Sequence, residues 1–291
     1  MYNKNMTIKS LFAPAKINLY LHVIGERGDG YRLLDSLVIF ADTIGDNISV
    51  RPAQNIELIL KGKYGDILIN HENIVIKAAK VLGERFKIEQ GAEITIEKNL
   101  PIASGIGGGS SDAASVLKLL IDLWGIKAEK QEIAQIALQL GADVPACLHA
   151  KPLYMSGIGE KIQECEIEED LYILLANPGK SLATAEVFSA RLGDFSTPPT
   201  RHKNFTSTTQ LLELLKQTSN DLQQAAISII PEIAHLISSL EKQQGCLLAR
   251  MSGSGATCFA IFSNKQNLQN AQKNLKLENP NMWVEISSIR K

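Results

Sequence analysis

The run Pro101-Ile102-Ala103-Ser104-Gly105-Ile106-Gly107-Gly108-Gly109-Ser110-Ser111 joins four glycines and three serines to an apolar helical pattern: Ala113, Ala114, Val116, Leu117, Leu119, Leu120, Leu123. Small residues let backbone N–H groups approach a ligand closely. A helix N-terminus adds unsatisfied N–H donors and about half an elementary positive charge. The combination describes an anion site, with phosphate as the expected anion. The competing reading is a flexible linker, but linkers seldom run straight into an amphipathic helix.

Three further stretches carry chemistry-bearing residues: Ala13-Pro14-Ala15-Lys16-Ile17-Asn18-Leu19, Gly141-Ala142-Asp143-Val144-Pro145, and Met251-Ser252-Gly253-Ser254-Gly255-Ala256-Thr257. On residue type alone, Asp143 is a turn or helix-cap residue. Lys16 reads equally as a solvated strand lysine. Gly253-Ser254-Gly255 reads as a hairpin turn that also exposes backbone N–H groups. Ser111 reads as the N-cap of the following helix or as a hydroxyl for a phosphate oxygen or Mg²⁺.

The common phosphate motifs do not fit. A Walker A loop needs G-x-x-x-x-G-K-[ST], and the first glycine demanded by Gly179-Lys180-Ser181 falls at Leu174. The dinucleotide fingerprint started at Gly105 and Gly107 meets Ser110 where its third glycine belongs. No H-R-D or D-F-G segment of a protein kinase is present.

Several elements must position these residues. Ala15–Ile24 alternates Ile17, Leu19, Leu21, Val23 with Lys16, Asn18, Tyr20, His22, which predicts a strand with one apolar and one polar face. A turn follows at Glu26–Gly30. Strands are predicted at Asn47–Arg51, Ile56–Lys61 and Glu93–Lys98, and a helix over Asn73–Phe86. Gly125 closes the helix after the glycine run, and a second helix spans Ala128–Leu140. Beyond Pro152, strands are predicted at Tyr172–Ala176, Leu247–Met251, Thr257–Phe262 and Trp283–Ser287. Helices are expected at Leu211–Leu215, Ala225–Ile230 and Ile233–Leu240. The polar stretch Ser196–Thr209 reads as a mobile loop. Grouped strands and helices without strict βαβ alternation indicate an α+β fold.

Composition excludes several classes. The 291 residues, 45% hydrophobic and 21% charged, suit two globular domains. A net charge of −1 gives no general pull toward nucleic acid or anionic membrane. No stretch approaches the ~20 apolar residues of a membrane span. Met1–Ser10 lacks the apolar core of a secretory leader, so the Asn5-Met6-Thr7 and Asn204-Phe205-Thr206 glycosylation patterns carry no weight. Cys147, Cys165, Cys246 and Cys258 show no metal-ligand spacing and suit a reducing cytoplasm.

Taken in order, the Pro14-Ala15-Lys16-Ile17-Asn18-Leu19 opening, the Gly28-Asp29-Gly30-Tyr31 turn, the glycine run, Gly141–Pro145 and the Gly253 turn resemble the GHMP small-molecule kinases, which include galactokinase, homoserine kinase and mevalonate kinase. The match runs from Ala13 to Phe262. The resemblance implies a domain of residues 1–155 like ribosomal protein S5 domain 2, and a ferredoxin-like domain of residues 156–291. It implies ATP and Mg²⁺, with Pro101–Ser111 (Pro101, Ile102, Ala103, Ser104, Gly105, Ile106, Gly107, Gly108, Gly109, Ser110, Ser111) as the ATP loop. Metal ligands stay unassigned. It places the catalytic base at Asp143 and its cationic partner at Lys16. Within the family the motifs resemble the branch whose acceptor is the 2-hydroxyl of a cytidine-diphosphate-linked methylerythritol in non-mevalonate isoprenoid biosynthesis.

For that substrate, Tyr31 and Phe188 would stack on the cytosine, and Phe188 also reads as core packing. Asn18, Arg32, Thr184, Gly253, Ser254 and Gly255 complete the expected substrate contacts. One departure stands out: the family usually reads D-G-Y-H where this chain has Asp29-Gly30-Tyr31-Arg32. Arginine stacks as a planar cation but accepts no hydrogen bond. The expected partner is thus a small molecule and not nucleic acid or membrane, in a monomer or homodimer. The alternatives are another GHMP kinase, such as a homoserine kinase, and a non-catalytic ligand sensor on the same fold.

Overall fold

The computed structural model describes residues 8–66 and 73–291. Met1–Thr7 at the N-terminus, where no secretory leader is expected, and with them the Asn5-Met6-Thr7 pattern, lie outside the described residues. Contacts divide the chain into two units. One holds residues 1–15, 45–100 and 107–149; the other holds 16–44, 101–106 and 150–291.

The long strands β1 (Lys9–Glu26) and β2 (Arg32–Ala53) pair with each other and pass through both stretches of sequence. Within the first unit, residues 47–53 of β2 run antiparallel to β4 (Gly91–Glu97), and β4 runs parallel to β3 (Glu57–Lys61). Helix α1 (Ile74–Phe86) starts where the Asn73 side chain accepts the Val75 N–H at 2.9 Å. Helices α2 (Gly108–Leu123), α3 (Lys130–Leu140) and α4 (Val144–His149) follow. Gly125, with φ 62°, sits just past the α2 C-cap Trp124, where a left-handed residue ends a helix without a Cβ penalty.

In the second unit, residues 34–38 of β2 pair with β5 (Leu153–Gly157), which pairs with β6 (Lys161–Glu164). β7 (Glu166–Ile167) pairs with β9 (Asn204–Phe205). The strands β8 (Tyr172–Asn177), β10 (Cys246–Met251), β11 (Cys258–Phe262) and β12 (Trp283–Ser288) form an antiparallel sheet in the order β10-β11-β8-β12. Helices α5 (Thr184–Ala190), α6 (Thr208–Lys216), α7 (Gln223–Ile229) and α8 (Glu232–Glu241) connect β8 to β10; α9 (Lys265–Glu278) connects β11 to β12. β8 and β10 are parallel with β11 between them, which is the split βαβ of a ferredoxin-like domain, as expected. Leu174, Ala176, Ala260 and Phe262 from this sheet and Ile233, Leu236 and Leu240 from α8 share one core with Leu21 and Val23 of β1.

Several elements were not expected, among them β5, β6, α4 and α5, and two of the differences have a plain physical reason. β2 begins at Arg32, well before Asn47, because Asp35–Ala41 is buried on both faces and offers no alternation to read. Helix α9 buries only Leu268, Ala271 and Leu275, too narrow a stripe to stand out in a polar segment. The stretch expected to be a mobile loop is tied in place. Ser196 N–H donates to Val23 O at 2.9 Å, His202 N–H to the Tyr154 hydroxyl at 3.0 Å, and Thr208, the first residue of α6, donates its N–H to Glu169 Oε2 at 2.7 Å. No helix of the described residues is long and apolar enough to cross a membrane, and the four cysteines are free thiols.

Candidate functional site

The polar face expected on β1 is not solvated. Ala13 through Val23 is buried throughout, and Lys16 retains 3% of its surface. A solvated strand lysine is thereby excluded. Lys16, Asn18, Tyr20 and His22 form an internal polar row. Such groups cost free energy unless they are paired or bind something. Asn18 Nδ2 donates to Ser36 Oγ at 2.7 Å, and Ser36 Oγ donates to Tyr20 O at 2.5 Å. The Tyr20 hydroxyl donates to Asp35, whose other oxygen pairs with Arg201. Burial, reinforced by the Asp35 hydrogen bond and charge, pushes the Tyr20 hydroxyl far above its usual pKa. Arg201 also lies 5.2 Å from the Tyr154 ring centroid. Asn18 Oδ1 is buried with no hydrogen-bond partner among the described residues.

The glycine run is built by opposite demands on its two kinds of backbone group. Its carbonyls are taken by the second unit. Ala103 O accepts Leu182 N–H at 3.2 Å, Ser104 O accepts Thr257 N–H at 3.1 Å, Gly105 O accepts Ser252 Oγ at 3.1 Å, and Ile106 O accepts Lys16 N–H at 2.9 Å. The N–H groups from Ile102 to Ser110 have no acceptor among the described residues. Ala103, Gly105 and Gly107 carry φ values of 49°, 75° and 62°, alternating with residues of negative φ. Alternation of this kind turns successive N–H groups to one side and makes an anion-binding nest.

The Gly253 turn is the connection between antiparallel β10 and β11, so the hairpin reading holds. It is also the seat of the glycine run. A Cβ built on Gly105 lies 2.5 Å from Ser252 O, and one on Gly253 lies 2.5 Å from Gly105 O. Asn18 N–H donates to Ser252 Oγ at 3.1 Å, and Thr184 Oγ1 lies 3.0 Å from Ser254 Oγ. Arg250, near the end of β10, donates to Leu19 O, Leu215 O and Thr218 O at 2.8–2.9 Å. Burial lowers its guanidinium to about 10. The carbonyls at the end of α6 offset that charge.

The expected base-stacking residues differ in setting. Tyr31 is 59% exposed, with the Arg27 guanidinium 5.3 Å from its ring centroid. Phe188 is half-buried and packs on the core of the second unit, as the core-packing reading expects. Arg32 is held in a surface ion pair with Glu26, which ties up its guanidinium.

In the first unit the helix cap is Gly107, with φ 62° and ψ 21°. Ser111 therefore is not the N-cap: it stands one turn in, its N–H donating to Gly107 O at 2.8 Å. Its hydroxyl is buried with no partner among the described residues. Asp143 is half-buried immediately before α4, and its carbonyl accepts Cys147 N–H at 3.1 Å.

Sequence reasoning missed a buried trio here. Lys98 Nζ lies 2.5 Å from Asp46 Oδ2 and 2.6 Å from Asp112 Oδ2. Burial pulls the lysine pKa down, but the two carboxylates outweigh it and hold the ammonium charged. Burial pushes Asp112 up to about 7 despite Lys98, with Asp46 adding to the rise. The folded state thus keeps a proton that the unfolded chain releases near pH 4. Stability supplied through Asp112 falls as pH rises from about 4 to about 7. Asp112→Asn removes that titration, so its melting temperature should gain on the parent across that window. Parallel melting curves would show that Asp112 does not titrate there.

The chain matches the GHMP kinases N terminal domain over residues 73–151 and the GHMP kinases C terminal domain over residues 201–281. It is 47% identical to the 4-diphosphocytidyl-2-C-methyl-D-erythritol kinase of Chelativorans sp. (strain BNC1), across 96% of this chain and 95% of that protein. It is 42% identical to the protein of the same name from Paramagnetospirillum magneticum (strain ATCC 700264 / AMB-1), across 96% and 98%. A solved structure of 4-(cytidine 5'-diphospho)-2C-methyl-D-erythritol kinase superposes with a TM-score of 0.78 at 27% identity, covering 97% of this chain and all of that one. A homoserine kinase from Cytophaga hutchinsonii shares the fold, with a TM-score of 0.73 at 17% identity and 100% and 97% coverage. The chain belongs to the GHMP kinase family.

Proposed function

We propose that this chain moves the γ-phosphoryl group of ATP to the 2-hydroxyl of 4-diphosphocytidyl-2-C-methyl-D-erythritol. The observation that carries the reading is the glycine run, with its carbonyls consumed by the fold and its N–H groups left for an anion. Phosphoryl transfer asks a protein mainly to position the phosphates and neutralise charge. Ile102–Ser110 would cradle the ATP phosphates through backbone N–H groups. Mg²⁺, bound with the nucleotide, would neutralise phosphate charge, and the unpartnered Ser111 hydroxyl suits a phosphate oxygen or the metal. Lys16 would meet charge developing on the transferred group. Asp143 would accept the proton of the acceptor hydroxyl.

The cytidine end of the substrate would fall to Tyr31, Phe188 and Asn18, with Thr184 and Gly253–Gly255 beside them. Tyr31 is 59% exposed, which suits a stacking platform. Base–aromatic stacking contributes about 1–3 kcal/mol. Tyr31→Leu should therefore raise KM for the cytidine substrate by roughly 10-fold or more, with KM for ATP unchanged. An unchanged cytidine-substrate KM would remove Tyr31 from the site. The reaction itself is tested by coupled ADP release. Turnover is expected with the cytidine substrate and not with homoserine; turnover of homoserine alone would overturn the assignment.

A further inference from the structure

Lys98, Asp46 and Asp112 have no place in the proposed reaction, yet they are buried and linked in the first unit, next to the two ends of the glycine run. Asp46 Oδ1 accepts the N–H groups of Asn99 at 2.6 Å and Leu100 at 2.9 Å, while its Oδ2 meets Lys98. Three successive residues just before the run thus converge on one carboxylate. Lys98 then reaches forward to Asp112 Oδ2, in α2 just after the run. A Cβ built on Gly108 would stand 3.2 Å from Lys98 Nζ, so the ammonium lies against the first residue of α2.

This arrangement is a costly way to stabilise a fold. Buried ion pairs often do no better than apolar residues of the same volume, because desolvation offsets the attraction. Here one lysine serves two carboxylates, and Asp112 Oδ1 has no partner among the described residues. What the trio supplies that apolar residues would not is a directional link between residues 98–100 and residue 112. That link closes the base of the loop formed by residues 101–111. A loop whose ends are fixed has less freedom to lose when a ligand orders it.

We infer that Asp46, Lys98 and Asp112 form an ionic clamp that presets the glycine run for nucleotide phosphates, with Lys98 and Asp112 as positioning residues that touch no substrate. The inference rests on the reading of the run as the ATP loop. It predicts a specific loss of nucleotide affinity when the clamp is removed, without loss of the fold.

The test is the double variant Lys98→Met/Asp46→Asn, which removes the ammonium and its buried counter-charge together, keeps a side-chain oxygen for the Asn99 and Leu100 N–H groups, and cuts the link to Asp112. Asp112→Asn serves as a second variant in case the double one fails to fold. Melting temperature, ATP dissociation constant by calorimetry, and KM for each substrate are measured on parent and variants. The double variant should melt near the parent, bind ATP about 10-fold or more weakly, and keep KM for the cytidine substrate within about twofold. Asp112→Asn should weaken ATP in the same direction by a smaller factor. A folded variant of either kind with parental ATP affinity and KM overturns the clamp. A proportionate loss of both substrate affinities also overturns it, because that marks a general structural role. Parent protein that binds no ATP would instead refute the ATP-loop reading, so the two failures are distinguishable.

Discussion

Asp143→Asn should lower kcat by about 10²–10⁴, the range expected for loss of a general base, while KM for ATP stays near the parental value. Asparagine is the informative replacement. It caps helices about as well as aspartate, and the Asp143 carbonyl that accepts Cys147 N–H is retained. A residue that served only to start α4 would therefore tolerate the change. Steady-state kinetics with both substrates, alongside a melting curve, separates the roles. Parental kcat in a folded Asn variant removes Asp143 from the chemistry, and a lowered kcat with unaltered melting places it there.

Gly105→Ala should have the second largest effect, on stability and ATP affinity together. The backbone at Gly105 has φ +75°, and an added Cβ would lie 2.5–2.7 Å from Ser252 O, Gly255 N and Gly255 O. All three are backbone atoms of the β10–β11 turn, so no side chain can swing aside. Left-handed strain alone costs about 1–3 kcal/mol for a residue with a side chain, and displacing the turn adds to it. The expected loss is about 2 kcal/mol or more of unfolding free energy, with ATP binding weakened because the run no longer sits on its seat. Gly109→Ala is the matched control for stability. A Cβ there meets only Ile74 Cγ2 at 3.8 Å, inside the first turn of α2. Its melting temperature should equal or exceed the parental one, because alanine suits a helix better than glycine. Equal stability of the two variants would show that the run does not depend on the turn.

The contrast between these glycines marks what a sequence discloses. The glycine run, the helix after it and the β10–β11 hairpin were legible because each is a local pattern. What escaped was either non-local or lacked a period. Asp46 and Lys98 are 52 residues apart, and nothing in the spacing announces their pairing. Arg201 and Asp35 are 166 apart, and Arg201 lies in a stretch that composition alone marks as a loop. The first half of β2 escaped because burial on both faces erases alternation. The polar row of β1 was legible as a pattern, but its meaning reversed. Alternation predicted a wet face, and the fold encloses it. That reversal makes Lys16 and Asn18 buried polar groups, not ordinary surface residues. The Ser111 cap failed for a different reason: Gly107, with its left-handed backbone, starts the helix one turn earlier.

The most direct measurement is phosphorus NMR of the reaction mixture after the chain has turned over ATP and 4-diphosphocytidyl-2-C-methyl-D-erythritol. The account predicts one new phosphate monoester per ADP formed, attached at the 2-hydroxyl, with the cytidine diphosphate resonances preserved. No new monoester, or a monoester on another hydroxyl, would contradict it.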